Sequence, residues 1–274
     1  MPELPEVEVL RRSLERRLPG RRIVAVETRA PALREPLDRR KLRRLLEGRR
    51  IEGLRRRAKY LLIDLEGEST LVVHLGMSGR LTVVRESEPP APHEHFLCRL
   101  DRGERLRLVD PRRFGVAFAS RRKDLERDPH FAHLGVEPLE DELSSTYLRA
   151  KAKGRRGPLK SFLMDARIVV GVGNIYASEA LWRAGVHPRR AAGRVSRTTW
   201  ERVARQIRAV LADAIDQGGT TLNDFMDGEG NSGYFQVSLS VYGREGESCL
   251  RCDRPIRRLV LAGRGTYYCA GCQH

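Results

Sequence analysis

CLRCDRPIRRLVLAGRGTYYCAGC, residues 249–272, carries two Cys-x2-Cys pairs, Cys249/Cys252 and Cys269/Cys272, separated by sixteen residues. Two such knuckles suit a tetrahedral thiolate site, and four protein ligands leave no open position for water. The spacing therefore predicts one structural Zn2+ that stabilises the fold and performs no chemistry. Between the knuckles, Ile256–Ala262 and Thr266–Tyr268 read as strands around Gly263-Arg264-Gly265, a β-hairpin with Arg264 at its tip. Arg251, Arg254, Arg257 and Arg258 surround it, which favours phosphate contact over a finger that is only a folding staple.

Working outward, fifty-two Lys and Arg against thirty-six Asp and Glu give the 274-residue chain a formal net charge of +16. Such a field attracts polyanions, with nucleic acid the leading partner. Pairs such as Arg11-Arg12, Arg43-Arg44 and Arg121-Arg122 stand near acids, so a surface full of ion pairs accounts for many single arginines but not for the excess. No run approaches the eighteen apolar residues that cross a bilayer, and MPELPEVEVL has carboxylates where a signal peptide carries positive charge. A cytoplasmic protein without a membrane partner is expected, and in a reducing compartment metal is the better reading of the cysteines than disulfides. Cys98 is left over and reads as a buried thiol in a strand.

Chain length and the change of hydrophobic period predict two domains and a small appendage, an α+β multidomain fold. Pro5 with Val7, Leu10, Leu14 and Leu18 marks an amphipathic helix with Glu6 and Glu8 near its positive end, so Pro2 and Glu3 lie just ahead of its start. Short β-branched runs from Ile23 to about Ala119 suggest a β-sandwich. Helical period returns at Leu159–Asp165, at Asn174–Ala184 with Asn174 as a good N-cap, and in a long segment with Trp200, Val203, Ile207, Val210, Leu211 and Ala214 on one face. The polar, glycine-rich stretch Gly218–Gly233 is long for a connection and reads as a mobile functional loop.

The beginning of the chain carries a second kind of chemistry. Removal of Met1 before Pro exposes the secondary amine of Pro2, which titrates about 2–3 units below a lysine and is partly neutral near neutral pH. Attack of a secondary amine on a sugar C1′ gives a permanently cationic iminium that acidifies C2′ and permits elimination of the 3′ phosphate. Glu3 and Glu6 are carboxylates of the kind that move protons in such steps, although acids at a helix start are also ordinary caps.

PELPEVE at 2–8, RRAKYLL at 56–62, HLGMSGRL at 74–81, DPRRFG at 110–115, VVGVGNIYASEAL at 169–181, QGGTTL at 217–222 and VYGREGESC from 241 on to Cys272 together resemble the formamidopyrimidine-DNA glycosylases, block by block and end to end. The resemblance implies a bifunctional repair enzyme that removes oxidised purines such as 8-oxoguanine and formamidopyrimidines and cuts the strand by β,δ-elimination. It implies an N-terminal β-sandwich catalytic domain with its flanking helix at 1–135, a helix-two-turn-helix domain at 136–235 with a lesion-capping loop at 217–236, and the zinc finger at 236–274. By the same resemblance Pro2 is the nucleophile, Glu3 the catalytic acid, Glu6 a supporting carboxylate and Lys59 a phosphate-contacting lysine that assists catalysis. His74, Asn174, Tyr242 and Arg264 match phosphate contacts. Met77, Arg112 and Phe114 match the residues that fill the gap left when a damaged nucleotide leaves the stack. The partner is double-stranded DNA with oxidised bases or abasic sites, bound by a monomer associated with a bacterial nucleoid.

Other readings stay open from sequence. A non-catalytic zinc-finger DNA-binding protein explains the charge and the cysteines but not Pro2-Glu3 or the long loop. An enzyme resembling endonuclease VIII shares the scaffold but takes oxidised pyrimidines; Leu4 and the GGTTL loop with Tyr234-Phe235 look more like the purine branch. A second, catalytic metal on His130 and His133 lacks a third ligand at suitable spacing.

Overall fold

Strands rich in aliphatic and β-branched residues, several of them buried along almost their whole length, close one hydrophobic core between two four-stranded antiparallel sheets. The computed structural model describes residues 2–219 and 239–274. They fall into two compact units, one of residues 1–132 and 217–236, the other of 133–216 and 237–274.

In the first unit, helix α1 (Leu4–Glu15) precedes β1 (Ile23–Thr28), α2 (Arg39–Leu46) and β2 (Ile51–Arg57). Then follow β3 (Tyr60–Leu65), β4 (Ser69–His74), β5 (Arg80–Arg85), β6 (Glu94–Leu100), β7 (Glu104–Val109) and β8 (Val116–Arg121). The sheets have orders β1-β6-β7-β5 and β2-β3-β4-β8. Phe96, Cys98 and Leu106 of one meet Leu61, Ile63, Leu71 and Val73 of the other, and Val7, Leu10 and Leu14 of α1 join the same core. Cys98 is fully buried in β6, as its flanks predict, and burial pushes its thiol far up.

The β2 strand and α2 are additions to the sequence reading. β2 looks like solvated surface because three arginines end it, yet Arg55 pairs with Asp64 across the hairpin and Arg56 lies 3.4 Å from Glu8 of α1. In α2, Leu42, Leu45 and Leu46 form a short buried stripe beneath an arginine face, and the Asp38 carboxylate caps it by accepting from the Lys41 N–H at 2.9 Å.

The second unit holds α3 (Ser145–Ala152), α4 (Leu159–Leu163), α5 (Asn174–Arg183) and α6 (Arg197–Asp216), then the hairpin β9 (Ile256–Leu261) and β10 (Arg264–Cys269). Trp200, Val203, Ile207, Val210, Leu211 and Ala214 are all buried on one face of α6. Two details differ from expectation. The N-cap of α5 is Gly173 and Asn174 makes no cap bond, because its side chain is drawn to other partners. The hairpin turns at Ala262-Gly263, both at positive φ (47° and 73°), so Arg264 is the first residue of β10 beside the tip and not the tip itself.

Candidate functional site: a nucleophile end and a phosphate clamp

At the N-terminus the chain builds a reciprocal capping box. Glu3 is the N-cap of α1, and the Glu6 carboxylate accepts from the Glu3 N–H at 2.7 Å. Both glutamates are 2 % exposed, while Pro2 beside them is half-buried. Glu6, a supporting carboxylate by resemblance, thus fixes the backbone of the acid that follows Pro2. Gly219 packs against the Glu6 side chain. The loop at 217–236, for which the resemblance implies a lesion-capping role, lies outside the described residues from 220 on, Tyr234 and Phe235 included.

The pairing of α1 with β2 sets the direction of this end. Arg11 donates to the Leu54 carbonyl and Glu8 pairs with Arg56, so the start of α1 points toward the turn joining β2 to β3. Ala58 (φ 55°) and Lys59 form that two-residue turn, closing the Arg57–Tyr60 pair. Tyr60 is opposite His74 in the ladder, with ring centroids 4.8 Å apart.

The His74 Nδ1 accepts from the Gly76 N–H at 2.9 Å, which leaves the ring proton on Nε2 as a donor. Burial, and then the charges of Lys59, Arg34 and His130, push its pKa down to about 4. The folded state therefore holds this histidine neutral where the unfolded chain takes up a proton. The neutral-histidine contribution is complete above pH 6.5 and is lost as pH falls from 6.5 to 4. We expect about 2 kcal/mol of stability to go in that window, less than the full shift because His74 is only partly buried. Denaturation midpoints of His74→Gln should lack that part of the acid dependence.

The turns that follow His74 and precede β8 are locked together. A Cβ on Gly76 would come within 2.4 Å of the Phe114 carbonyl carbon, so only glycine, here at φ 63°, lets the two backbones touch. Asp110, fully buried, accepts from the Ser78 hydroxyl at 2.8 Å and from the Gly115 N–H at 2.7 Å. One carboxylate therefore ties down the neighbour of Met77 and the neighbour of Phe114, a link with no signal in the sequence. Met77 and Phe114 are 38 % and 43 % exposed, and the Arg112 guanidinium lies 4.8 Å over the Phe114 ring. Large apolar side chains held out on rigid turns are not core residues.

The second unit gathers another set. The Asn174 amide donates to the Gly265 carbonyl at 3.1 Å and to the Tyr242 hydroxyl at 3.3 Å, and its oxygen accepts from Lys160 Nζ at 2.6 Å. Lys160 is 1 % exposed and also donates to Gly265 O and Thr266 Oγ1, so it pins helix to hairpin. The Glu179 carboxylate accepts from the N–H groups of Ser240, Val241 and Tyr242, each at 2.9 Å, which fixes the chain entering the finger. Arg264 is exposed next to this set. Nothing in the spacing of Lys160 and Glu179 announces partners 61 to 106 residues away.

Four sulfurs, of Cys249, Cys252, Cys269 and Cys272, lie within 4.8 Å of one another, with contacts of 3.8 Å (Cys249–Cys272) and 3.4 Å (Cys252–Cys269). A ZnS4 tetrahedron with bonds of about 2.3 Å has edges of about 3.8 Å, so the donors fit zinc. Burial and the neighbouring sulfurs push Cys272 up to about 12, whereas at Cys249 burial is outweighed by hydrogen bonds from the Arg251 backbone and Trp182, which bring it down to about 6, so one thiolate forms readily and its neighbour resists a second charge. This is the metal-ligand cluster among the described residues. His130 instead lies between Asp128 and Glu35 and stacks on Phe118 at 4.8 Å.

Three family models together span nearly the whole chain: the formamidopyrimidine-DNA glycosylase N-terminal domain at residues 1–117, the H2TH domain of the same enzymes at 134–226, and a zinc finger found in FPG and IleRS at 246–274. The chain belongs to the formamidopyrimidine-DNA glycosylase family. A formamidopyrimidine-DNA glycosylase of Syntrophotalea carbinolica is 49 % identical over 100 % of both chains, and one of Xanthomonas campestris pv. campestris 48 % over the same extent. The crystal structure of the MutM (Fpg) protein of Thermus thermophilus is 42 % identical with a TM-score of 0.89, covering 99 % of this chain and 98 % of its own. Lactococcus lactis Fpg bound to abasic-site DNA is 31 % identical with a TM-score of 0.91, covering 99 % of each. The glycosylase fold of paired N-terminal sheets, H2TH helices and a hairpin finger with one structural zinc is the one described above.

Proposed function

We propose that the protein is a bifunctional base-excision repair glycosylase acting on oxidised purines, 8-oxoguanine and formamidopyrimidines, in duplex DNA. The observation that carries this reading is the capping box that holds a buried carboxylate beside Pro2, at the helix end directed toward Lys59 and His74. The domain roles follow: catalysis in residues 1–135, DNA binding in 136–235 with its loop, and phosphate clamping by the finger at 236–274. A monomer at work on cytoplasmic, nucleoid DNA is part of the same reading.

In the reaction the Pro2 nitrogen lone pair attacks C1′ as the C1′–N9 bond breaks and the base leaves with the bonding pair and gains a proton. Glu3 protonates O4′ as the sugar opens, leaving a C1′–N iminium. Loss of a C2′ proton expels the 3′ phosphate, and a second elimination expels the 5′ phosphate. Lys59 and His74, the latter through its Nε2–H, hold phosphates beside the lesion; Asn174, Tyr242 and Arg264 hold phosphates from the second unit. Met77, Arg112 and Phe114 occupy the gap and support the orphaned partner base.

Borohydride reduction of the processed protein with a duplex bearing 8-oxoguanine opposite cytosine should trap a covalent adduct; its absence sinks the Pro2 mechanism. Strong preference for thymine glycol would favour the pyrimidine branch.

Asp110 acts here as a positioning residue. Asp110→Ala should lower kcat/KM on lesion duplex by about tenfold to a hundredfold through loss of two buried hydrogen bonds at about 0.7–1.4 kcal/mol each. Lyase activity on a single-stranded abasic site, which needs no gap filled, should change much less, and an equal fall on both substrates would remove the positioning role.

A further inference from the structure

Ala58 and Lys59 carry the chain from β2 to β3, and neither is glycine although Ala58 stands at φ 55°. A left-handed alanine costs about 1–2 kcal/mol against the ordinary conformation. Such a turn keeps its shape only where the surroundings over-determine it. The Arg57–Tyr60 pair closes the hairpin and supplies one constraint. The Arg56 side chain supplies another, because its Nη1 donates to the Ala58 carbonyl at 3.0 Å.

The same guanidinium faces the helix that begins beside the nucleophile. Arg56 Nε lies 3.4 Å from Glu8 Oε2, and the two side chains are only 10 % and 13 % exposed, so water and salt screen this pair weakly. Arg11 and Arg12 of α1 each approach the Glu8 carboxylate to 3.0 Å, which holds it in place on the helix whose N-cap is Glu3. One planar group with several donors thus spans from the Lys59 turn to the helix that Pro2 and Glu3 open. Its neighbour Arg55 falls on the other face of the strand and pairs with Asp64 of β3.

We propose that Arg56 is a positioning residue for Lys59: by bracing the Ala58 carbonyl against Glu8, it fixes the place from which the Lys59 ammonium reaches the phosphate beside Pro2. A lysine is a point charge on a flexible four-carbon stem, so its reach is defined only if the backbone it leaves from is held. The inference rests on the reading of Lys59 as the phosphate-contacting lysine beside the lesion.

The test is a double-mutant cycle on the full, processed chain, read by single-turnover excision of 8-oxoguanine from duplex and by duplex affinity. Arg56→Gln should slow excision by about tenfold to a hundredfold, up to the cost of a misplacement of about 1 Å, with little change in Kd. Arg56→Lys, which keeps the charge but lacks the fork that reaches both partners, should recover only part of the loss. In a Lys59→Gln background, Arg56→Gln should cost nothing further, because the group it positions is gone. Arg55→Gln controls for loss of charge alone and should leave excision unchanged. A merely structural role gives the same step in both backgrounds, and that result overturns the proposal. So does an Arg56→Gln rate equal to that of the unaltered protein, or a fall in duplex affinity that matches the fall in rate. If Arg56→Gln does not fold, the cycle is run with Arg56→Lys and judged in the same way. Normal excision by Lys59→Gln alone would defeat the reading of Lys59 and the proposal with it, a result distinct from a Lys59-dependent rate that ignores Arg56.

Discussion

Glu3→Gln is expected to slow single-turnover base excision by about 10²- to 10⁴-fold, the range for losing a positioned general acid, while the Kd for lesion duplex changes little. The separation of the two effects follows from the geometry. The hydrogen bond that sets this end of α1 runs from the backbone N–H of Glu3 to Glu6, so the exchange of one side-chain oxygen for an amide leaves it intact. Glu3 is 2 % exposed, so water cannot readily take over its proton. A Gln of the same shape fills the site but delivers no proton to O4′. Borohydride trapping on a preformed abasic site, where no base remains to be expelled, should be reduced less than excision. Unchanged excision would strip Glu3 of its role, whereas loss of trapping together with loss of DNA binding would mean that the helix start had been damaged.

Removal of the zinc, by chelation or by Cys272→Ala, should abolish tight DNA binding, with a fall of about 10²-fold or more, while most helical signal survives. Structural zinc contributes on the order of 10 kcal/mol in small fingers, more than the finger's own apolar cluster can supply. That cluster consists of Trp182, Val241, Ile256 and two of the cysteines themselves. The helical core around Trp200 and Leu211 is separate and does not depend on the metal. What fails is the hairpin that presents Arg264 and supplies the Gly265 carbonyl to Asn174 and Lys160. Circular dichroism of the metal-free protein with anisotropy on an abasic-analogue duplex checks both halves. Undiminished binding after stoichiometric loss of zinc would show that the finger does not clamp the strand.

Much of this site was legible residue by residue. The four cysteines announce their metal because tetrahedral coordination demands two closely spaced pairs. Pro2-Glu3 before an amphipathic helix offers an amine and an acid that by themselves read equally well as an ordinary helix start, so their roles rest on the family resemblance, while Met77 between Gly76 and Gly79 announces a turn. The arginine-rich strand β2 was not legible, since its charges read as solvent exposure until Asp64 and Glu8 are found opposite them.

The sequence by itself determined which residues can ligate zinc and where period 3.6 gives way to period 2. Tertiary structure alone decided how the polar groups of the site are held. Asp110 joins the turns of Met77 and Phe114, Lys160 draws Asn174 away from its expected cap, and Glu179 gathers three amides 61 to 63 residues on. The physical reason is that hydrophobic period is a property of neighbours along the chain. The partner of a buried polar group is chosen by whichever donor or acceptor the folded backbone brings within about 3 Å of it.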